Sequence, residues 1–188
     1  MIRKIEEFNR HVAIAGFKNV RISNLEGFFE TVRKKAGNTQ VQFFDANLIA
    51  GWKHIYFATL NALNAFKNKQ NFSNSLAMEA LLFASAQRQI RRAMELIGIK
   101  PTSSRVAVLI VDEEEGKASA TLETISGILF GERDDSVLDL TDEKVEDIRE
   151  LFNVSDLELK AKVEKEGLEK EALLDLIIER AALLVTQH

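Results

Sequence analysis

Val106-Ala107-Val108-Leu109-Ile110-Val111 is the stretch that decides the fold. Six apolar residues in succession, four of them β-branched, suit a strand, and a strand without a polar face must be covered on both sides. The chain therefore needs helices above and below a sheet, and its flanks supply them. Upstream, Gly98 and Pro101, the only proline, stop a helix. Downstream, an acidic loop from Asp112 to Gly116 leads to a helix over Ala118–Phe130 with Leu122, Ile125 and Leu129 on one face. Val137 to Leu140 reads as a short edge strand. Thr141 then caps a helix with Asp142 and Glu143 in its first turn, where the dipole favours acids, and with Val145, Ile148, Leu151 and Phe152 facing inward.

Further toward the N-terminus, His11–Phe17 turns Val12 and Ile14 inward as a strand, and Val41–Phe44 makes a second short one. Between them Ser23 or Asn24 caps a helix in which Leu25, Phe28, Phe29, Val32 and Ala36 share a face, and Gly37 offers a left-handed exit. Another helix spans about Trp52–Phe66, with Ile55, Thr59, Ala62, Leu63 and Phe66 inward. These elements define a single mixed α/β domain over residues 1–154, a small central sheet of about four strands covered by seven or so helices. Residues 155–188 form a C-terminal helical extension that packs on the domain or on a partner. Its first part, SDLELKAKVEKEG, is a mobile helix or a linker. Leu168–Val185 carries an apolar sector wider than one buried face requires, which suits a helix buried on two sides or a docking helix through which copies could self-associate.

Composition excludes several classes. The 188 residues are 46% apolar and 29% charged, so the chain folds and does not stay disordered. Without cysteine there is neither a disulfide framework nor a thiolate zinc site. The start, MIRKIEEFNRH, lacks an apolar signal core, and no apolar run approaches the roughly 20 residues of a membrane span. The expectation is a cytoplasmic protein with no membrane partner. Charge is divided along the chain: residues 1–105 hold 16 Lys and Arg against 7 Asp and Glu, residues 106–188 hold 9 against 22. Such a split points to a polyanion on the basic half and to a protein surface or solvent on the acidic half.

Chemistry should concentrate in Phe72–Ile97, FSNSLAMEALLFASAQRQIRRAMELI. Leu76, Ala80, Leu81 and Ala84, then Ile90, Ala93, Met94 and Ile97, mark two short helices laid end to end. Asn74 or Ser75 caps the first. The polar hinge between them, Ser85-Ala86-Gln87-Arg88-Gln89, presents a guanidinium, two amides and a hydroxyl. RNA binding needs donors to phosphate and flat surfaces for splayed bases. Lys53, Lys67, Lys69, Arg88, Arg91, Arg92, Lys100 and Arg105 supply the first, and Trp52, Tyr56 and Phe72 the second. Arg91 and Arg92 lie opposite the apolar stripe, so a solvated face also accounts for them.

A catalytic set is absent. His11, His54 and His188 have no metal-ligand spacing, and no Gly-rich phosphate loop or nucleophile elbow occurs. Ser73, Ser75 or Ser85 would need a base, for which His54 is the nearest candidate in sequence. Glu113-Glu114-Glu115 suits solvent better than a cation. The expectation is no enzyme, no catalytic residue, no metal and no cofactor; a hydrolase with a Ser or carboxylate site stays as a third reading, behind a protein-docking module without RNA binding.

The run Asp45–Gly98, with DANLIAGWKH at 45–54, ATLNALNAF at 58–66 and the Phe72–Ile97 stretch, resembles the kinase-binding small subunit of the KEOPS (also EKC) complex, the Cgi-type, PRPK-binding protein family. Asp134-Asp135-Ser136-Val137-Leu138 resembles that family's segment before its late helix. The resemblance implies a non-enzymatic subunit that binds the Bud-type atypical kinase and supports threonylcarbamoylation of ANN-decoding tRNAs; in archaeal members it also implies a grip on the 3′ CCA end. Lys53, His54, Asn74, Ser75, Glu79, Ser85, Arg88, Gln89 and Ile90 match the family's recurrent positions. The nucleic-acid contacts implied by resemblance and charge together are Lys53, His54, Asn74, Ser75, Arg88, Gln89, Arg91 and Arg92. The family pattern has Gly after the hinge serine, where this chain has Ala86, so the hinge either runs straight or bends at a cost.

Overall fold

The computed structural model describes residues 1–163, 165 and 167–186, which leaves His188 outside the described residues. Five antiparallel strands form its sheet: β1 (Ile2–Ile5), β2 (Arg10–Lys18), β3 (Gln40–Asp45), β4 (Val106–Asp112) and β5 (Glu132–Arg133). Their order is β1-β2-β4-β3, with β5 pairing the far end of β2 beyond β1. The apolar run at 106–111 is thus an inner strand between β2 (Ile14 opposite Leu109) and β3 (Phe43 opposite Val108).

Alternation along β4 divides the core in two, because successive side chains leave opposite faces. Val106, Val108 and Ile110 join Phe17 and Phe43 under α1 (Leu25–Ala36) and α5 (Glu115–Ile128). Ala107, Leu109 and Val111 join Ile14 and Phe44 under α2 (Trp52–Lys67), α3 (Leu76–Ser85) and α4 (Ile90–Ile97). On the first face Phe28 meets Phe43 edge to face with ring centroids 5.0 Å apart. A third, smaller cluster joins Ile148 of α6 (Asp142–Leu151) and Phe152 to Leu173 and Ile177 of α8 (Glu169–Ala182). The short α7 (Asp156–Lys162) lies between, closed by a Ser155–Glu158 capping box. The charge-rich stretch after Ser155 therefore starts as a helix, with a cap signal that its weak amphipathicity obscures.

Two local expectations are corrected. Val137–Leu140 is not a strand: Asp135–Leu138 is a 3-10 turn, and the edge strand is β5 just before it. Asp134 makes the difference, since its carboxylate accepts the Ser136 N–H at 3.1 Å and bends the chain. The turn then sits on β2, where Gly16 N–H donates to Asp135 Oδ1 at 2.9 Å and Asp134 N–H to Gly16 O at 2.8 Å. Strand β1 was not expected, because IRKI has too little alternation to announce itself. The acidic and basic halves of the chain also interleave, β4 from one lying between β2 and β3 from the other.

Gly16 permits this seat. A Cβ there would come 2.6 Å from both Asp134 O and Val137 Cγ2. Gly16→Ala is expected to lift the turn and lower the unfolding free energy by about 1–3 kcal/mol, read by chemical denaturation.

Candidate nucleic-acid interface

Helix α3 starts at Ser75, whose Oγ accepts the Met78 N–H at 3.3 Å. The preceding loop folds back along the helix because Glu79, fully buried, accepts the N–H groups of Phe72 at 3.0 Å and Ser73 at 2.7 Å. Burial pushes the Glu79 carboxyl above its ordinary pKa, and the two backbone donors oppose that shift. The fold-back sets the Phe72 ring beside Phe83, with centroids 6.4 Å apart, and leaves it 38% exposed.

At the other end of α3 the hinge bends. Ala86 is left-handed, with φ 50° and ψ 38°, and Gln87 N–H closes back onto Leu82 O at 3.0 Å. The alanine thus takes the conformation for which a glycine is the usual choice. The bend carries Arg88 over the Phe72 ring, its guanidinium carbon 5.2 Å from the centroid. Its Nε and Nη2 both donate to Leu184 O, at 3.2 and 3.0 Å. Arg88 is exposed, and among the described residues its Nη1 has no hydrogen-bond partner.

The other expected contacts divide. His54 is removed from the set: it is wholly buried, accepts the Ala50 N–H on Nδ1 at 3.2 Å and donates from Nε2 to Ala84 O at 2.8 Å. That pattern assigns the Nε2–H tautomer. Burial lowers its pKa to about 4, so it is neutral, and with both nitrogens engaged it has no basic site for any serine. Ser85 is buried too, its hydroxyl donating to Leu82 O at 3.0 Å. Lys53, next to His54, is exposed and lines a hollow of about 300 Å³ with Asp139, Leu140, Lys170 and Leu174.

On α4, Gln89, Arg91 and Arg92 are exposed, but Glu95 pairs with both arginines, at 3.0 and 3.7 Å. Ile90, read above as part of the buried stripe, is 45% exposed, because α4 packs through Ala93 and Ile97. Asn74 and Ser75 stand at the far end of α3, whose ten residues span about 15 Å. Asn74 lines a cleft of about 860 Å³ and Ser75 a groove of about 450 Å³. Sequence reasoning passed over the walls of those hollows. Arg33 and Lys35, in the last turn of α1, stand on them, and the signal that could have pointed there is the consecutive run Arg33-Lys34-Lys35. In the acidic loop, Glu113 and Glu114 pair with Arg10 and Lys117 at 2.8 and 2.6 Å.

The fold is a helical pair that bends at Ala86, on a sheet covered by helices on both faces. The profile of the family described as "Kinase binding protein CGI-121" matches residues 17–184, and the chain belongs to that family. Among its relatives is the "Regulatory protein Cgi121" of Methanocaldococcus jannaschii, 36% identical over 135 residues that cover 72% of this chain and 83% of that protein. No helix among the described residues is long and apolar enough to cross a membrane.

Two outcomes test this geometry. Ala86→Gly is expected to raise unfolding stability by about 1 kcal/mol, since only the left-handed strain is relieved. For His54, the folded pKa near 4 lies below the unfolded value of 6.5, so the unfolded chain binds the extra proton. Stability is therefore lost as pH falls from about 6.5 to about 4, by about 3 kcal/mol at the lower limit. Chemical denaturation across that window should show the loss in the wild type and a flatter profile in His54→Asn.

Proposed function

We propose that the chain is a non-catalytic, kinase-binding regulatory subunit of a KEOPS-type complex that modifies tRNA to threonylcarbamoyladenosine. Its kinase partner is the Bud-type atypical kinase, and it recruits tRNA through the single-stranded CCA end. The observation that carries the RNA part is Arg88 over Phe72 at the exposed bend. A base can stack on such a ring while the guanidinium meets phosphate, the pairing that single-strand recognition uses. The family's description supports the kinase part, and the regulatory name of the M. jannaschii relative supports a non-catalytic role. So does the neutral, doubly engaged His54, which offers Ser85 no free ring nitrogen.

One observation favours a second reading, a docking module without RNA. Glu95 already pairs with Arg91 and Arg92, so α4 offers less free positive charge than its sequence suggests. A titration separates the two. On the first reading tRNA binds, binding weakens steeply with salt, and removal of the CCA end lowers affinity by about tenfold or more. Arg88→Glu should abolish most of it while melting remains cooperative. Equal affinity for intact and trimmed tRNA removes end recognition, and absence of binding with retained capture of the kinase leaves the docking module.

A further inference from the structure

Arg33, Lys34 and Lys35 fill the last turn of α1. None of the three has an ion pair or a side-chain hydrogen bond among the described residues, whereas Arg10, Lys18, Lys67, Arg91, Arg92 and Lys117 all meet carboxylates. The helix dipole favours cations at this end, which explains why they are tolerated but not what lies beside them. Arg33 stands on the wall of the groove of about 450 Å³ that runs between α1, the open side of β3 and the α3–α4 pair. Lys35 stands on the cleft of about 860 Å³, and the two hollows share Ala36, Thr39 and Gln40 as a common ridge.

The groove is apolar along its floor, from Phe29 and Phe43 to Met78 and Met94, and polar at the rim, with the Ser75 hydroxyl and the Gln40 amide. Among the described residues Arg33 is its only charged lining residue, and no carboxylate lines it. A volume of this size is that of a small-ligand site. An apolar floor with thioethers, one guanidinium and free lysines beyond it matches a planar base joined to a run of phosphates.

An extended peptide fits less well, although β3 is an edge strand. Gln42 Oε1 accepts the Phe43 N–H at 2.8 Å, and its Nε2 donates to Ala77 O at 3.2 Å. Ala77 N–H in turn donates to Gln40 Oε1 at 3.4 Å. These amides occupy the edge through which an added strand would pair.

We infer that this groove receives an unpaired nucleotide of the bound RNA, with its base on the Phe29–Met94 floor and the neighbouring phosphates along Arg33, Lys34 and Lys35. The inference rests on the RNA-binding reading and places a second contact region about one helix length from Arg88.

The test is a titration of the full chain with tRNA over a range of salt, beside photo-cross-linking with RNA that carries 4-thiouridine near its 3′ end. Arg33→Ala/Lys34→Ala/Lys35→Ala keeps good helix formers on an exposed face and should fold normally. It should lower affinity by tenfold or more and reduce the slope of log affinity against log salt by about 2, the single-strand value for three phosphates. Wild-type cross-links should fall on Phe29, Met78 or Met94. If RNA binding depends on Arg88 while the triple variant keeps wild-type affinity and slope, or cross-links stay on Phe72 and the hinge, the groove assignment is overturned and the RNA reading stands. If an acidic peptide displaces the RNA from these residues at lower concentration than a competing oligonucleotide, the groove belongs to a protein. No RNA binding by the wild type overturns both.

Discussion

Covering both faces of β4 is the constraint on which the rest of the structure depends. A strand whose six leading residues are all buried must sit inside a sheet and carry a layer on each side. One layer, α1 with α5, is spaced along the chain, and the other is built from three consecutive helices. Three helices between β3 and β4 must reverse twice while staying on one face of the sheet. The turns between them span residues 68–75 and 86–89, where polar side chains concentrate. The bend at Ala86 is one of them, and a local left-handed residue supplies what length does not.

The exposed chemistry follows from how that bend is held. His54 ties the start of α2 to the end of α3 from inside, and Glu79 ties the preceding loop to the first turn of α3. Both are titratable side chains that act as hydrogen-bond anchors in the fold. With those anchors taking up the buried polar groups, Phe72 and Arg88 are left facing outward in contact with each other. A neutral histidine suits this position, because a charged one would cost several kcal/mol in an apolar surround. The cations then divide by whether they meet an acid. Arg91 and Arg92 pair with Glu95 at i+4 and i+3, while Arg33, Lys34 and Lys35 have no ion pair among the described residues, although Glu30 stands one turn before Arg33 and Lys34.

What could be read from sequence was what depends on periodicity. The runs at 106–111, 25–36 and 52–66 fixed their own states, and α1 ends at Ala36 as the spacing predicts, with Asn24, one of the two residues expected, as its cap. The mixed α/β class followed from them. Less legible were elements decided by single contacts at long range. Asp134 turns its segment away from a strand only because β2 offers Gly16 as a seat, 118 positions earlier in the chain. His54 looked like a surface residue because nothing in its own helix shows that Ala84 O lies above it. Ile90 kept the apolar spacing yet stands outside, since α4 has only two turns and packs through the second.

Arg88 shows why the candidate site was half legible. Its type and place at a polar hinge pointed to a surface guanidinium, and it is one. Its anchor, however, is a backbone carbonyl nearly a hundred residues later, and a carbonyl carries no sequence signature. Leu184 contributes a side chain to the main core and an oxygen to Arg88, so the last helix and the hinge share one attachment. An exposed arginine otherwise spreads over many rotamers, at a cost of about 2 kcal/mol when it is finally held. Two hydrogen bonds and a ring contact meet part of that cost in the folded chain. The C-terminal turn thus sets the direction of the guanidinium, whose Nη1 has no hydrogen-bond partner among the described residues.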